Sequence, residues 1–252
     1  MTSPQPEHEA PMPLTIRAIP VLSDNYAWFV RDEATGITAV VDPGEATAIE
    51  RVLEKEGGRL DFILLTHHHQ DHIGGTDALR ARYNAKVAGP AAEQHRMPHL
   101  DLALNDNDRI ELGQSAGQVL AMPGHTLGHI AYYFDHPPAL FCGDVLFSLG
   151  CGRLFEGTAE QMFASLGRLH NLPEQTLVCC GHEYTASNAL FAQHVDPDNQ
   201  ALAARTQEVR TLRDKGLPTV PSTLGQERAT NPFLRAGSAQ TLASLRKQKD
   251  VF

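Results

Sequence analysis

Short apolar stretches bounded by turn residues open the chain. Residues 14–21, 26–31 and 37–42 each predict a strand, with Asp24-Asn25 and Ala34-Thr35-Gly36 supplying the turns between them. Pro43-Gly44 breaks the third strand. Residues 46–56 then place Ile49, Val52 and Leu53 at helical spacing ahead of Gly57-Gly58, which predicts a helix with one apolar face. An apolar run over 61–66 reads as a short buried strand, and Gly74-Gly75 leads into a helix over 76–83. Strands recur at 85–88, 119–122, 130–134, 139–142 and 176–180, with a helix over 159–171 between the last two. Beyond Glu183 the pattern turns helical, apart from a proline-containing break at 217–221. Two packed sheets flanked by helices, with a helical C-terminal section, make this an α+β fold.

With 252 residues and 42% apolar content, the chain has ample material for a buried core, in one large domain or a main domain with a smaller appendage. A formal charge of −9 argues against nucleic acid or an anionic membrane as the main partner, since both demand accumulated Lys and Arg. Residues 1–13 lack a cationic start and an apolar core, so they read as a disordered tail rather than a secretory signal. No apolar run approaches the roughly 20 residues that a membrane-spanning helix needs. Cys142, Cys151, Cys179 and Cys180 lie in or beside apolar segments without Cys-x-x-Cys spacing, as expected for reduced thiols. A soluble, cytoplasmic protein is the expectation.

The chemistry concentrates in Leu65-Thr66-His67-His68-His69-Gln70-Asp71-His72, where four of the chain's 13 histidines fall within six positions at the end of a predicted strand. Neutral imidazole together with carboxylate suits borderline cations such as zinc. His67 and His69, two apart, point to one ion, and Asp71 and His72 to a second. A zinc-peptidase helix would place two histidines four apart around a Glu, and Gly74-Gly75 argues against such a helix. A merely histidine-rich surface loop would not explain this density.

Three more strand ends carry donors: His125 after Pro123-Gly124, Asp144 after Cys142-Gly143, and His182 after Cys180-Gly181. Each alone is weak, but one edge of a sheet sandwich would gather them. Counting donors gives His67, His69 and His125 at one site, Asp71, His72 and His182 at the other, and Asp144 bridging. Two cations roughly 3.5 to 4 Å apart lower the pKa of a shared water toward about 7, so hydrolysis is the chemistry implied. His68 is expected to point away from its neighbours if His67 and His69 point inward, and His129 to support its loop by hydrogen bonding. Asp42 suits two roles equally, orienting a ligand histidine or capping a helix.

T-H-H-H-Q-D-H, followed by G-H-T-L-G-H, F-C-G-D and C-G-H-E-Y, resembles the metallo-β-lactamase superfamily. Within it, F-C-G-D-V-L-F-S-L-G-C-G-R-L-F-E-G-T is similar to the glyoxalase II branch, the hydroxyacylglutathione hydrolases, and the likeness runs from Leu14 to Phe252. The resemblance implies an αββα sandwich over residues 14–182 and a small helical, glutathione-binding domain over 183–252. It implies two divalent metal ions per chain, zinc foremost, although mixed N/O donors also accept iron or manganese.

By the same resemblance the substrate is S-2-hydroxyacylglutathione, S-D-lactoylglutathione foremost, the products are glutathione and D-lactate, and the role is methylglyoxal detoxification by a monomer. The nucleophile implied is a metal-bridging hydroxide, with no separate side-chain nucleophile. Arg153, Phe155, Tyr184, Arg246 and Lys249 match the branch's glutathione contacts, with Phe155 standing where some relatives have Tyr and Arg153 where some have Lys. A locally basic end on an acidic chain suits the two carboxylates of glutathione.

Three other readings fit the sequence less well. A mononuclear-iron glutathione-persulfide dioxygenase fits the terminal basic stretch and the full branch segment less well. A processing nuclease needs a basic surface that the net charge does not supply. A non-catalytic, metal-stabilised binding module has no call for seven intact donors.

Overall fold

The computed structural model describes residues 14–252; the tail expected at 1–13 lies outside the described residues. The first sheet comprises β1 (Leu14–Val21), β2 (Asn25–Asp32), β3 (Thr38–Val41), β4 (Phe62–Leu64), β5 (Lys86–Pro90) and β6 (Leu102–Leu104), in that order. β1 to β3 pair antiparallel, and β3 to β6 pair parallel. The parallel strands require crossovers, and helices α1 (Thr47–Lys55), α2 (Gln70–Ile73) and α3 (Thr76–Tyr83) lie in these connections.

The second sheet contains β7 (Arg109–Leu112), β8 (Ser115–Ala121), β9 (Ile130–Asp135) and β10 (Pro138–Gly143). After a small ribbon of β11 (Leu146–Phe147) and β12 (Gly150–Cys151) and helix α4 (Ala159–Arg168), the sheet is completed by β13 (Leu177–Cys180) and β14 (Ser222–Thr223). β13 runs parallel to β10, and β14 closes the edge antiparallel to β13. Helices α5 (Thr185–Val195), α6 (Gln200–Asp214), α7 (Leu224–Thr230) and α8 (Ala239–Val251) make up most of the C-terminal section.

β2 explains the layering. Its alternate residues Tyr26, Trp28 and Val30 enter the core shared with the second sheet, whereas Ala27 and Phe29 face Ile49 and Leu53 of α1 and Leu79 of α3. A strand buried on both faces reads as an apolar run, because sheet lies on one side and helix on the other. Met162 and Leu166 of α4 and Leu242 of α8 join the core formed with the second sheet, giving the αββα order.

Several predicted boundaries move by one to four residues, strands β6, β7, β11 and β12 form where none was expected, and three further features differ in kind. The helix expected over 159–171 ends at Arg168 and tightens into a 3-10 turn over Leu169–Asn171. The C-terminal section is not wholly helical, since β14 pairs Thr223 with Leu177. A single helical turn, α2, forms inside the histidine segment itself.

Topology delivers the donors to one edge. β3, β4, β8, β10 and β13 all end there, and β2 begins there, with Asn25 bridging to His182 across the two sheets. The strand ends carry Asp42, the 66–72 segment, the turn before His125, Asp144 and His182 respectively.

Candidate metal centre and substrate pocket

His67, His69 and His125 place one ring nitrogen each within 4.8 Å of one another, as do the donor atoms of Asp71, His72 and His182. His69 Nδ1 lies 3.1 Å from His67 Nε2 and 3.0 Å from His125 Nε2. Asp144 sits between the two groups. One of its oxygens is 3.3 Å from His72 Nε2, and the other is 3.4 Å from His182 Nε2 and 3.5 Å from His125 Nε2. Asp71 Oδ2 lies 3.4 Å from His182 Nε2 and 3.5 Å from His72 Nε2.

The outer partners fix which nitrogen is free. His125 Nδ1 donates to the Arg153 carbonyl at 2.8 Å, His72 Nδ1 to Asp42 at 3.0 Å and His182 Nδ1 to Asp24 at 3.0 Å. Thr66 Oγ1 gives its own proton to Asp42 at 2.7 Å, so it accepts from His67 Nδ1 at 3.0 Å. In the neutral form of each ring the Nδ1 proton is thereby committed and the Nε2 lone pair is aimed at the cluster. Asp42 therefore orients rather than caps; the helix that follows it has no side-chain cap. Gly143, at φ +47°, allows the approach of Thr66: a Cβ there would stand 2.3 Å from Thr66 Oγ1.

These groups fit a cation. His72 Nε2 and Asp144 Oδ1 are buried without a hydrogen-bond partner, and converging lone pairs and carboxylates repel one another unless positive charge lies between them. The electrostatics of the two groups differ. Burial holds His67 well below the usual imidazole range, takes His69 to about 4 and lowers His125. Burial also opposes charge on His72 and His182, but the Asp144 carboxylate outweighs it, lifting His182 to about 10 and His72 well above its ordinary value. The hydrogen bond from His182 draws Asp71 below the ordinary carboxylate range, and His72 and His182 overcome burial to do the same for Asp144.

Residues 22–182 match the family model of the metallo-beta-lactamase superfamily, and residues 183–252 match that of the hydroxyacylglutathione hydrolase C-terminus. A hydroxyacylglutathione hydrolase of Acidiphilium cryptum is 55% identical over 94% of this chain and 97% of its own length. The chain belongs to the hydroxyacylglutathione hydrolase family. Among solved structures, ETHE1 from Myxococcus xanthus superposes with a TM-score of 0.71 at 26% identity, covering 92% of this chain and 90% of its own. TTHA1623 in a di-iron-bound form superposes at 0.53 with 31% identity, covering 63% of this chain and 87% of its own.

In this chain a cavity of about 570 Å³ opens beside the metal centre, with the buried His125 and Asp144 among its lining residues. Arg153, Phe155, Tyr184, Arg246 and Lys249 all line it. Tyr184 stacks on His182, with the rings 4.5 Å apart and 8° from parallel. Phe155 is exposed and meets His125 and His69 edge-on, at 5.2 and 5.7 Å.

The three cations are not equivalent. Arg246 is buried, donates to the Cys151 carbonyl at 2.8 Å and pairs with Asp250 at 3.0 Å, so its donors already tie α8 to β12. Lys249 donates to the Ser187 carbonyl at 3.2 Å and stands over the rings of Phe191 and Phe252. Arg153 is exposed, with only a long 3.8 Å approach to Asp250.

Some functional neighbours carried no sequence signal. Asn25, read only as a turn residue, donates to Asp71 Oδ2 at 2.9 Å, and Asp24 holds His182. Their partners lie 46 and 158 residues away, so spacing alone does not expose them. His129, as expected, supports a loop: its Nε2 accepts from the Asp144 backbone at 3.2 Å, and its ring stacks on His67.

Proposed function

We propose that this chain hydrolyses S-2-hydroxyacylglutathione, with S-D-lactoylglutathione as principal substrate, to glutathione and the free 2-hydroxy acid. The observation that carries this reading is Asp144: one carboxylate faces both donor triads and lines the cavity that Arg153 and Lys249 also line. His67, His69 and His125 would hold one cation, Asp71, His72 and His182 the other, and Asp144 both. Bound there, two divalent cations supply Lewis acidity, lowering the pKa of a water toward about 7 and stabilising negative charge on a carbonyl oxygen. Zinc is the proposed metal, with iron and manganese compatible with the same donors.

The remaining work falls to the chain's own groups. Arg153 and Lys249 attract the glutathione carboxylates and place the thioester beside His125 and Asp144. Water adds to the thioester carbonyl carbon, the C–S bond breaks, and glutathione leaves as a thiolate that takes up one of the water's two protons, while the other passes to solvent and leaves the 2-hydroxy acid as its carboxylate. A thiol of pKa about 8.5 departs without a strong acid, so no side chain is needed to protonate it. The cysteines make poor nucleophiles: burial holds Cys142 and Cys179 well above the usual thiol range, takes Cys151 to about 11 and Cys180 to about 12. All four are free, which supports a reducing compartment such as the cytoplasm. Among the described residues no helix is long and apolar enough to cross a membrane.

The test is product analysis. Purified protein given S-D-lactoylglutathione should release free thiol and D-lactate in equal amounts. Absence of both, with oxygen uptake on glutathione persulfide, would transfer the chain to the dioxygenase reading.

A further inference from the structure

Glu93 lies outside the substrate cavity, in a 3-10 turn over Ala91–Arg96 that follows β5, and it is 3% exposed. Four donors meet its two oxygens. Oε2 accepts the His68 backbone N–H at 2.9 Å and His68 Nδ1 at 2.7 Å. Oε1 accepts the Thr126 hydroxyl at 2.5 Å and the Gly128 N–H at 2.9 Å. A buried carboxylate costs free energy unless its lone pairs are satisfied, and here they are satisfied from two separate loops.

The identity of those loops matters. His68 stands between His67 and His69, and Thr126 directly follows His125, so the donors flank every residue of the three-histidine group. The fit around the carboxylate is close: a Cβ on Gly128 would stand 2.5 Å from Glu93 Cγ. His68 Nε2 lies 3.6 Å from a second carboxylate, Glu156, whose other oxygen accepts the Leu127 N–H at 3.0 Å. The neighbouring Phe155 N–H donates to the His125 carbonyl at 3.3 Å. By contrast, none of these bonds reaches Asp71, His72 or His182.

We propose that Glu93 is a positioning residue for the three-histidine site, fixing the loop of His67 and His69 against the loop of His125 through one buried carboxylate. The proposal rests on the reading that these three histidines hold a cation. A carboxylate is required because both oxygens accept two donors; an amide would turn its NH2 against one of the pairs.

The experiment is zinc affinity, measured by competition with a chromophoric chelator, for Glu93→Gln in two full-length backgrounds. His182→Ala leaves the three-histidine group intact, and His69→Ala leaves the Asp71, His72, His182 group intact. Glu93→Gln should weaken binding about 10- to 100-fold in the first background and by less than about threefold in the second. No loss in the first, or equal losses in both, overturns the proposal. Should Glu93→Gln fail to fold by circular dichroism, Thr126→Val removes one of the four bonds and should give a smaller loss confined to the first background. An unchanged or unselective affinity would again overturn it. Parent proteins that bind no zinc in either background would instead refute the metal sites themselves.

Discussion

Asp42 Oδ2 accepts the Nδ1 proton of His72 at 3.0 Å, and the same oxygen accepts the Thr66 hydroxyl at 2.7 Å, whose oxygen faces His67 Nδ1. One carboxylate thus sets the tautomer of a histidine in each donor triad. Oδ2 receives both of these donors and Oδ1 accepts the Thr66 backbone N–H at 2.8 Å, so in Asp42→Asn the amide NH2 must oppose either that N–H or the pair from Thr66 and His72, and the negative charge that holds the His72 Nδ1 proton is lost in both cases. Asp42→Asn should weaken zinc binding about 10- to 100-fold at both sites. Chelator competition on the purified variant checks this, and a loss confined to one site would break the shared-tautomer argument.

The two triads should differ in proton release. In chelator-stripped protein at pH 7, burial keeps His67, His69 and His125 neutral, whereas Asp144 keeps His72 and His182 protonated despite burial. Raised pKa values mean that protons must leave before a cation can enter. The first equivalent of zinc should fill the three-histidine site with almost no proton release, and the second should displace about two protons. Affinity at the second site should climb with pH and level off only as pH approaches the His182 value of about 10. An unbuffered titration with a pH indicator measures both steps.

Lys249 and Arg246 should fail in different ways. Lys249→Ala removes a cavity charge and should raise KM about tenfold with kcat nearly unchanged, the mark of lost ground-state binding. Arg246→Ala removes the bonds to the Cys151 carbonyl and Asp250, and should cost about 2 to 3 kcal/mol of stability as well. Steady-state kinetics and thermal unfolding of the two variants separate the roles.

Phe155 offers a ring without a hydroxyl beside His69 and His125. Phe155→Tyr should lower KM by up to about fivefold, the equivalent of one hydrogen bond near 1 kcal/mol. An unchanged KM would mean that the hydroxyl finds no partner on the substrate.

Strand ends explain why so much of this protein was legible in its sequence. Each of His125, Asp144 and His182 follows an apolar strand and a Gly-containing turn, and parallel or alternate strands bring such ends to one edge. The buried strands themselves read plainly because β2 and β3 pack on both faces. β6 and β14 did not, since two- or three-residue edge strands bury too few side chains to leave a pattern. Glu93, Asp24 and Asn25 escaped for another reason: polar residues in turns are common, and only the fold reveals that their partners are metal-site loops.

If two cations around Asp144 drive thioester hydrolysis, zinc added stepwise to chelator-stripped protein should restore thiol release from S-D-lactoylglutathione. Release should be negligible without metal and reach full activity only as the second equivalent binds, with none of this recovery in Asp144→Ala. Full turnover in metal-free protein, or in a metal-poor Asp144→Ala preparation, would contradict it.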